Sequence, residues 1–548
     1  MDGSVANARL LSLKLQRFKS YAEETEIPLS PLTVILGRNN SGKSSIIQAL
    51  LLLKQTLALP RPEVPLHLEG LVDAVNLREI TYGWPATGAV VPGPRIGIRW
   101  ASRINLEAAL EKARWPELSA IFDFTGLIAA TVTEDKAIAV ADRVTELVLD
   151  FAELEGRTTL NEVILASYTD ATAVKPKVLF VLKRQDNGSY ACHVSGLSTQ
   201  NRLASVIQVE FDHFLPYLLM DRRNVGARDK QRAWYNGFLV LFSQPIEDLR
   251  ELLSGFAYLG SMRTQPPTLY RPATVPPDDI GVSGEYAAQM LHARRTDWVH
   301  YPPPLRVEGD EIHLPDGVRA RPLVDAVNDV LDELLGVGIP LRIDDVKDLG
   351  FRLFFGQASL QHVGRGLSYL LPVIQLGLIA DPLRFDPKLI DMPLDDYKKA
   401  CRGYTHCAFE EPESHLHPKA QTRLAHWFVA LAMAHRQILV ETHSDHLVRR
   451  LRGLAARAKP GSTIERWLLE NVHVLQIEQV DGRSIVKRAT LTPQGNLESW
   501  PADFMDEAMN EERSIYDASL DKPAEPAQPM PESPAVEHDV GDEPDVGP

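Results

Sequence analysis

The sequence predicts an α/β fold, and three apolar segments predict it. Leu32–Leu36 is a β-type run that enters a glycine-containing loop and leaves it in helical periodicity at Ile46, Ile47, Leu50, Leu51 and Leu53. Cys407–Phe409 is a second short apolar run, and it ends on Glu410 and Glu411. A third run, "QILVET", ends just before His443.

Residues 1–100 read as a first lobe, β-rich up to the loop. The loop is Gly37-Arg38-Asn39-Asn40-Ser41-Gly42-Lys43-Ser44, followed by Ser45. It fits G-x-x-x-x-G-K-[ST] at every fixed position, with a strand before it and a helix after it. Gly37 and Gly42 let the backbone curl so that successive N–H groups face phosphate oxygens, and the new helix brings its positive end to the same spot. Lys43 is expected to reach the β- and γ-phosphates of ATP, and Ser44 to ligate Mg²⁺ through its hydroxyl. "WPATGAVVPGPRIGIRW" alternates turn residues with a short strand.

Composition changes over 101–254, which reads as an α+β insertion without motif chemistry. "NLEAALEKARWPELSAIF" and "AIAVADRVTELVLDFAEL" have helical periodicity, and "PKVLFVLKRQDNGSYACHVSGL" reads as a hairpin turning at Asn187-Gly188. Arg222, Arg223 and Arg228, followed by "DKQRAWYNGFLVLF", form its most basic and aromatic stretch. The favoured reading is a solvated face beside a core helix; the alternative is a track for a phosphate backbone.

Residues 255–455 carry the second half of the site. An acid at the tip of a buried strand holds the Mg²⁺ shell, and the next acid polarises water for attack on the γ-phosphate. Glu410 takes the metal role and Glu411 that of general base. Glu413, His415 and His417 read as a polar turn; His-x-His spacing leaves a transition-metal site as the alternative. Residues 456–510 are strand-rich, with Asp481-Gly482 as a hairpin turn, and read as a small C-terminal domain.

"EEPESHLHP" together with "VETHSDHLVRRL" resembles the ABC-type P-loop ATPases of the OLD-like group (overcoming lysogenization defect), in the wider set that includes RecF and SMC proteins. "LKLQRFKSYAEETEIPLSPLTVILG", "YLGSMRTQPP", "VSGEYAAQML", "HVGRGLSYLLPVIQL" and "LTPQGNLESWPADFMDE" are similar to further segments of that group. The resemblance implies that Gly364, Gly366 and Ser368 cap the γ-phosphate of the opposite subunit. Tyr369 stands where the family commonly has Gln, and Glu410 where it usually has Asp. His443 matches the switch histidine, and His417 an interface residue between two ATP sites. No residue matches the family's glutamine loop; Gln55 falls on the helix behind the phosphate loop.

The resemblance further implies a cytoplasmic ATPase that uses ATP and Mg²⁺ and dimerises, or assembles further, around the nucleotide. Such proteins act as switches or scaffolds for a separate protein effector, including in bacterial defence against phage. The alternative is a DNA-sensing or DNA-repair ATPase of RecF type, which keeps DNA open as a partner. Too few residues follow Arg452 for the nuclease domain that the OLD group often carries, so DNA cleavage by this chain is not expected.

Composition adds bounds. The 548 residues have a formal net charge of −15. Residues 511–548 contribute eleven Asp/Glu against two Lys/Arg, with seven prolines, and read as a disordered acidic tail. The three cysteines, Cys192, Cys401 and Cys407, show no CxxC spacing and read as reduced intracellular thiols. No run reaches 18 apolar residues, so no membrane partner is expected.

Overall fold

The structure is a computed structural model that describes residues 7–84, 90–105, 140–195, 207–220, 239–384, 390–498 and 507–520. Two sheets organise the unit formed by residues 1–499. The first is antiparallel and seven-stranded. Its strands are β1 (Ala8–Gln16), β2 (Thr25–Pro28), β4 (Val90–Asn105), β5 (Val140–Leu154), β6 (Arg157–Tyr168), β7 (Val178–Arg184) and β8 (Tyr190–Ser195), in the order β2-β1-β4-β5-β6-β7-β8. The region read as an insertion is thus hydrogen-bonded into the sheet that the N-terminal lobe begins. The hairpin expected around Asn187-Gly188 is β7–β8, with Gly188 at φ 83°.

The second sheet carries the loop. Its strands are β3 (Leu32–Gly37), β9 (Ala257–Leu259), β10 (Thr405–Glu410), β11 (Arg436–Glu441), β12 (Val472–Val480) and β13 (Arg483–Ala489), in the order β9-β10-β11-β3-β12-β13. All pairings are parallel except β12–β13. Every residue of β3, β10 and β11 is buried, which is why these segments read as unbroken apolar runs rather than alternating ones. The strand-rich C-terminal segment supplies β12, paired directly to β3, and Asp481 and Gly482 both have positive φ at the turn into β13.

Helices α1 (Lys43–Leu57), α2 (Gln244–Gly255), α3 (Leu323–Leu335), α4 (Arg365–Ile379), α5 (Pro418–Met433) and α6 (Asp445–Arg457) cover the second sheet and join it to the first. One buried cluster runs through both: Leu13 and Leu15 of β1, Ile98 of β4, Leu50 of α1, Leu249 and Leu252 of α2, Ala408 of β10 and Leu439 of β11. At about 1.5–3 kcal/mol per large apolar side chain withdrawn from water, this cluster is the main cohesive term. Trp100 fixes α2 on the antiparallel sheet, its indole N–H donating to the Pro245 carbonyl at 3.1 Å.

Two expectations change. "VADRVTELVLDFAEL" is strand β5, not helix. Its valines at 140, 144 and 148 mimic a helical stripe. Residues 143–149 are buried throughout, so burial does not discriminate; the ladders to β4 on one side and β6 on the other fix the strand. "WPATGAVVPGPRIGIRW" leads not into a short strand but into the 16-residue β4. "NLEAALEKARWPELSAIF" lies, apart from its first residue, outside the described residues, as do Arg222, Arg223 and Arg228. Residues beyond 499 form a separate unit. There Glu507–Leu520 is helical, so the first ten residues of the acidic segment are ordered; 521–548 lie outside the described residues. Among the described residues no helix is long and apolar enough to cross a membrane.

Candidate functional site

β3 ends at Gly37, and α1 starts at Lys43 with Gly42 as its N-cap at φ 97°. Gly42 permits a close approach as well as the left-handed turn: a Cβ there would stand 2.3 Å from Ser484 Oγ and 2.6 Å from Ser20 Oγ. Tyr21 donates its hydroxyl to the Gly42 carbonyl at 3.0 Å. Arg38, Asn39 and Asn40 form an exposed rim, with Asn40 at φ 62°, while Ser41, Lys43 and Ser45 are buried. Lys43 donates to the Arg38 carbonyl at 2.9 Å, folding its ammonium back across the loop.

The acids arrive on neighbouring strands. Glu410 ends β10, Glu441 ends β11, and the two are register partners in the parallel ladder. Ser44 donates its hydroxyl to Glu441 Oε1 at 3.0 Å, and Lys43 Nζ lies 3.9 Å from the same oxygen. Burial, then repulsion from Glu410, pushes the Glu441 carboxyl up to about 7, against the pull of Ser44 and Lys43. Burial also raises Glu410, although Tyr258, the Ser261 amide and Arg263 favour its charged form. Lys43 is pulled below its ordinary value by burial, opposed by Glu441, Glu411 and Glu410.

Glu411 follows in the left-handed region at φ 44°, its amide donating to the Glu441 carbonyl at 2.8 Å. Its side chain is half-buried, accepts from the Ser414 hydroxyl at 3.1 Å and lies within electrostatic reach of Lys43. His443 is held down in pKa by burial and then by Lys43, so its imidazole is neutral at pH 7. The structure therefore brings together Lys43, Ser44, Glu410, Glu411 and His443.

The remaining sequence candidates lie elsewhere. Gly364 caps α4, and Gly366 and Ser368 sit in its first turn. A Cβ on Gly366 would stand 2.6 Å from the His415 carbonyl, so α4 abuts the turn after Glu411. Among the described residues none of these three hydrogen-bonds to residues 37–45. Tyr369 makes an edge contact with the His415 ring, centroids 5.1 Å apart. His417 caps α5, its Nδ1 accepting from the Lys419 amide. No three His, Cys, Asp or Glu residues gather into a metal-holding group among the described residues, so the His-x-His alternative finds no further ligands. Glu413 accepts from the Thr442 hydroxyl at 2.6 Å and the His443 amide at 2.9 Å, tying the turn after β10 to the turn after β11. Gln55 spans the 67–72 loop with three hydrogen bonds to its backbone.

Sequence reasoning missed Glu441, Arg263 and Ser484. Glu441 had the same signal that singled out Glu410, an acid closing an apolar strand. Arg263, in the noted segment "YLGSMRTQPP", is buried and donates to the Glu410 carbonyl at 2.9 Å; burial brings its guanidinium down to about 10. Among the described residues its Nη1 has no hydrogen-bond partner. Ser484 reaches the loop only through the β12–β13 pairing, which no local pattern encodes.

The donor set suits a hard divalent cation. Among the described residues Glu410 Oε1 and Glu441 Oε2 are buried without a hydrogen-bond partner; β11 ends beside the Ser44 hydroxyl, and β10 ends in register next to it. Oxygen-only donors of this kind suit Mg²⁺, which keeps several of its own waters.

Two regions match known domain families. Residues 9–83 match the family described as "AAA ATPase domain", and residues 359–449 the family described as "AAA domain, putative AbiEii toxin, Type IV TA system". No curated protein matches the sequence. Among solved structures, an SMC head bound to the C-terminal winged-helix domain of ScpA superposes with a TM-score of 0.37 at 13% identity, covering 88% of this chain and 98% of its own. The SMC head domain from Thermotoga maritima gives 0.30 at 12%, covering 87% and 98%. An SMC head with extended coiled coil, bound to the C-terminal domain of ScpA derived from Pyrococcus furiosus, gives 0.34 at 11%, covering 93% and 100%. Superpositions this loose leave the fold to rest on the chain's own strand order. That order puts the loop of the first matched region and the acid-tipped strands of the second at one end of one sheet: over residues 9–83 and 359–449 the chain is similar to AAA-family ATPase domains.

Proposed function

We propose that this chain binds and hydrolyses ATP, and that the cycle serves as a switch or scaffold for a separate protein effector. The observation that carries the reading is the convergence of Lys43, Ser44, Glu410, Glu411 and His443 at the ends of β3, β10 and β11. The N–H groups of Gly37–Ser45 face the phosphates. Lys43 leaves the Arg38 carbonyl and pairs with the β- and γ-phosphates. Ser44 and Glu410 would hold Mg²⁺, which would supply charge neutralisation on the phosphate oxygens. Glu411 accepts the proton of the attacking water, and Ser414 fixes the orientation of its carboxylate. Neutral His443 donates to the γ-phosphate, with its backbone seated by Glu413.

A second copy of the chain completes the site with Gly364, Gly366 and Ser368. Two features support this. These residues make no hydrogen bond to their own loop among the described residues, and the space beside Gly364 is open, with no atom within 4 Å of a Cβ built there. The description matched by residues 359–449, which names a toxin system, favours an effector partner and a defence role.

The test is ATP hydrolysis by the native chain and by Glu411→Gln, with and without double-stranded DNA, and with size by light scattering in each nucleotide state. The expected result is a ~10²–10⁴-fold loss in Glu411→Gln, with ATP-dependent doubling of mass and no DNA response. Full hydrolysis in Glu411→Gln rejects the general base. Stimulation by DNA rejects the effector switch in favour of DNA sensing or repair.

A further inference from the structure

Glu441 is an acid for which the hydrolytic reading has no task. It closes β11 beside Glu410, and register partners on adjacent parallel strands project to the same face of the sheet. Both side chains are more than nine-tenths buried. Among the described residues each keeps one oxygen without a hydrogen-bond partner, Oε1 on Glu410 and Oε2 on Glu441. Lys43 lies 3.9 Å from Glu441 and Arg263 acts on the Glu410 carboxylate through space while donating to its backbone carbonyl, but neither cation hydrogen-bonds an open oxygen. Two buried carboxylates with open oxygens face a strong penalty unless positive charge joins them.

We infer that Glu441, with Ser44 and Glu410, forms a two-carboxylate site that binds a hard divalent cation before the nucleotide arrives. The inference rests on the proposed function in taking Ser44 and Glu410 as cation ligands. Ser44 already donates to Glu441, so both groups are in place for one ion. Usual phosphate-loop sites hold Mg²⁺ through one or two protein groups and the substrate phosphates, so the ion arrives with the nucleotide. Here a second buried carboxylate supplies affinity that the phosphates supply elsewhere. Oxygen-only donors select Mg²⁺ or Mn²⁺ over thiophilic metals.

The experiment titrates Mn²⁺ into nucleotide-free protein and reads free Mn²⁺ by electron paramagnetic resonance. The native chain, Glu441→Gln, Ser44→Ala and Glu411→Gln are compared, and each melting temperature is recorded. The expected result is one Mn²⁺ per native chain, at least ~10-fold weaker binding in Glu441→Gln and Ser44→Ala, and native-like binding in Glu411→Gln. Absence of Mn²⁺ binding by the native chain overturns the inference, as does native-like binding by a folded Glu441→Gln. If Glu441→Gln fails to fold, Ser44→Ala decides: native-like Mn²⁺ binding in that variant overturns the site. A fluorescent ATP analogue in Mg²⁺ buffer tests nucleotide binding separately. Its failure to bind the native chain rejects the ATPase reading, while the Mn²⁺ titration still judges the cation site.

Discussion

Ser484 donates its hydroxyl to the backbone carbonyl of Ser41, joining the start of β13 to the phosphate loop across 443 positions of sequence. Ser20 lies within hydrogen-bond distance of the same hydroxyl, and the neighbouring Tyr21 holds the Gly42 carbonyl. The loop is therefore clamped from outside by two segments that carry no phosphate-binding motif.

Gly42→Ala tests the clamp. The new methyl would collide with Ser484 Oγ in a backbone conformation, φ 97°, that L-residues avoid. The left-handed strain alone costs about 1–2 kcal/mol. Nucleotide affinity by fluorescence titration is expected to fall at least ~10-fold. The double variant with Ser484→Gly is expected to recover only part of the loss, because the clash with Ser484 is relieved while the 2.6 Å approach to Ser20 Oγ and the strain are not.

Glu413→Gln tests the coupling of the two acid-tipped strands. Glu413 accepts from the Thr442 hydroxyl and the His443 amide, so a neutral amide weakens two charge-assisted bonds. The expected loss of stability is about 1–3 kcal/mol by urea denaturation. ATP turnover is expected to fall further than ATP binding, because His443 loses its seat while the loop does not. Equal loss in both would make Glu413 a purely structural residue.

Gln55 presents the opposite case. It lies on α1 behind the phosphate loop, and its amide is consumed by the His67 carbonyl and by the carbonyl and amide of Val72. Gln55→Ala should therefore lower the melting temperature and leave nucleotide affinity unchanged. A selective loss of ATP binding would return it to the site.

Acid sensitivity follows from two buried histidines. Burial holds His406 down to about 3 and His426 to about 4, the latter also through repulsion from Arg450. An unfolded chain takes up protons at these positions below about 6.5 and the folded one does not, so stability falls as pH drops from about 6.5 towards 4. At pH 5 each histidine accounts for roughly 2 kcal/mol of the loss. Denaturation midpoints at pH 7.5 and 5 measure this, and His406→Gln is expected to shrink the difference by about half of the pair's share.

The parallel sheet was legible in the sequence because its central strands are buried on both faces and read as continuous apolar runs. The loop was legible because phosphate binding fixes residue type and spacing together. β5 was not: its valines satisfy a helical stripe as well as a strand, and only pairing with β4 and β6 decides between them. Nor was the clamp on the loop, since Ser484, Ser20 and Tyr21 carry no pattern and meet through strand order alone. Glu441 was within reach of the rule that found Glu410.

The place of β3 in its sheet has a consequence for biosynthesis. Its two neighbours, β11 and β12, begin at residues 436 and 472, some 400 positions after the loop they enclose. On the ribosome, at about 5–20 residues per second, β3 waits tens of seconds for a partner on either side. During that interval a nascent chain displays an apolar strand and an unbraced glycine loop. Competence to hold nucleotide is therefore acquired only after residue 472 has been passed, hundreds of positions after the loop itself has been made.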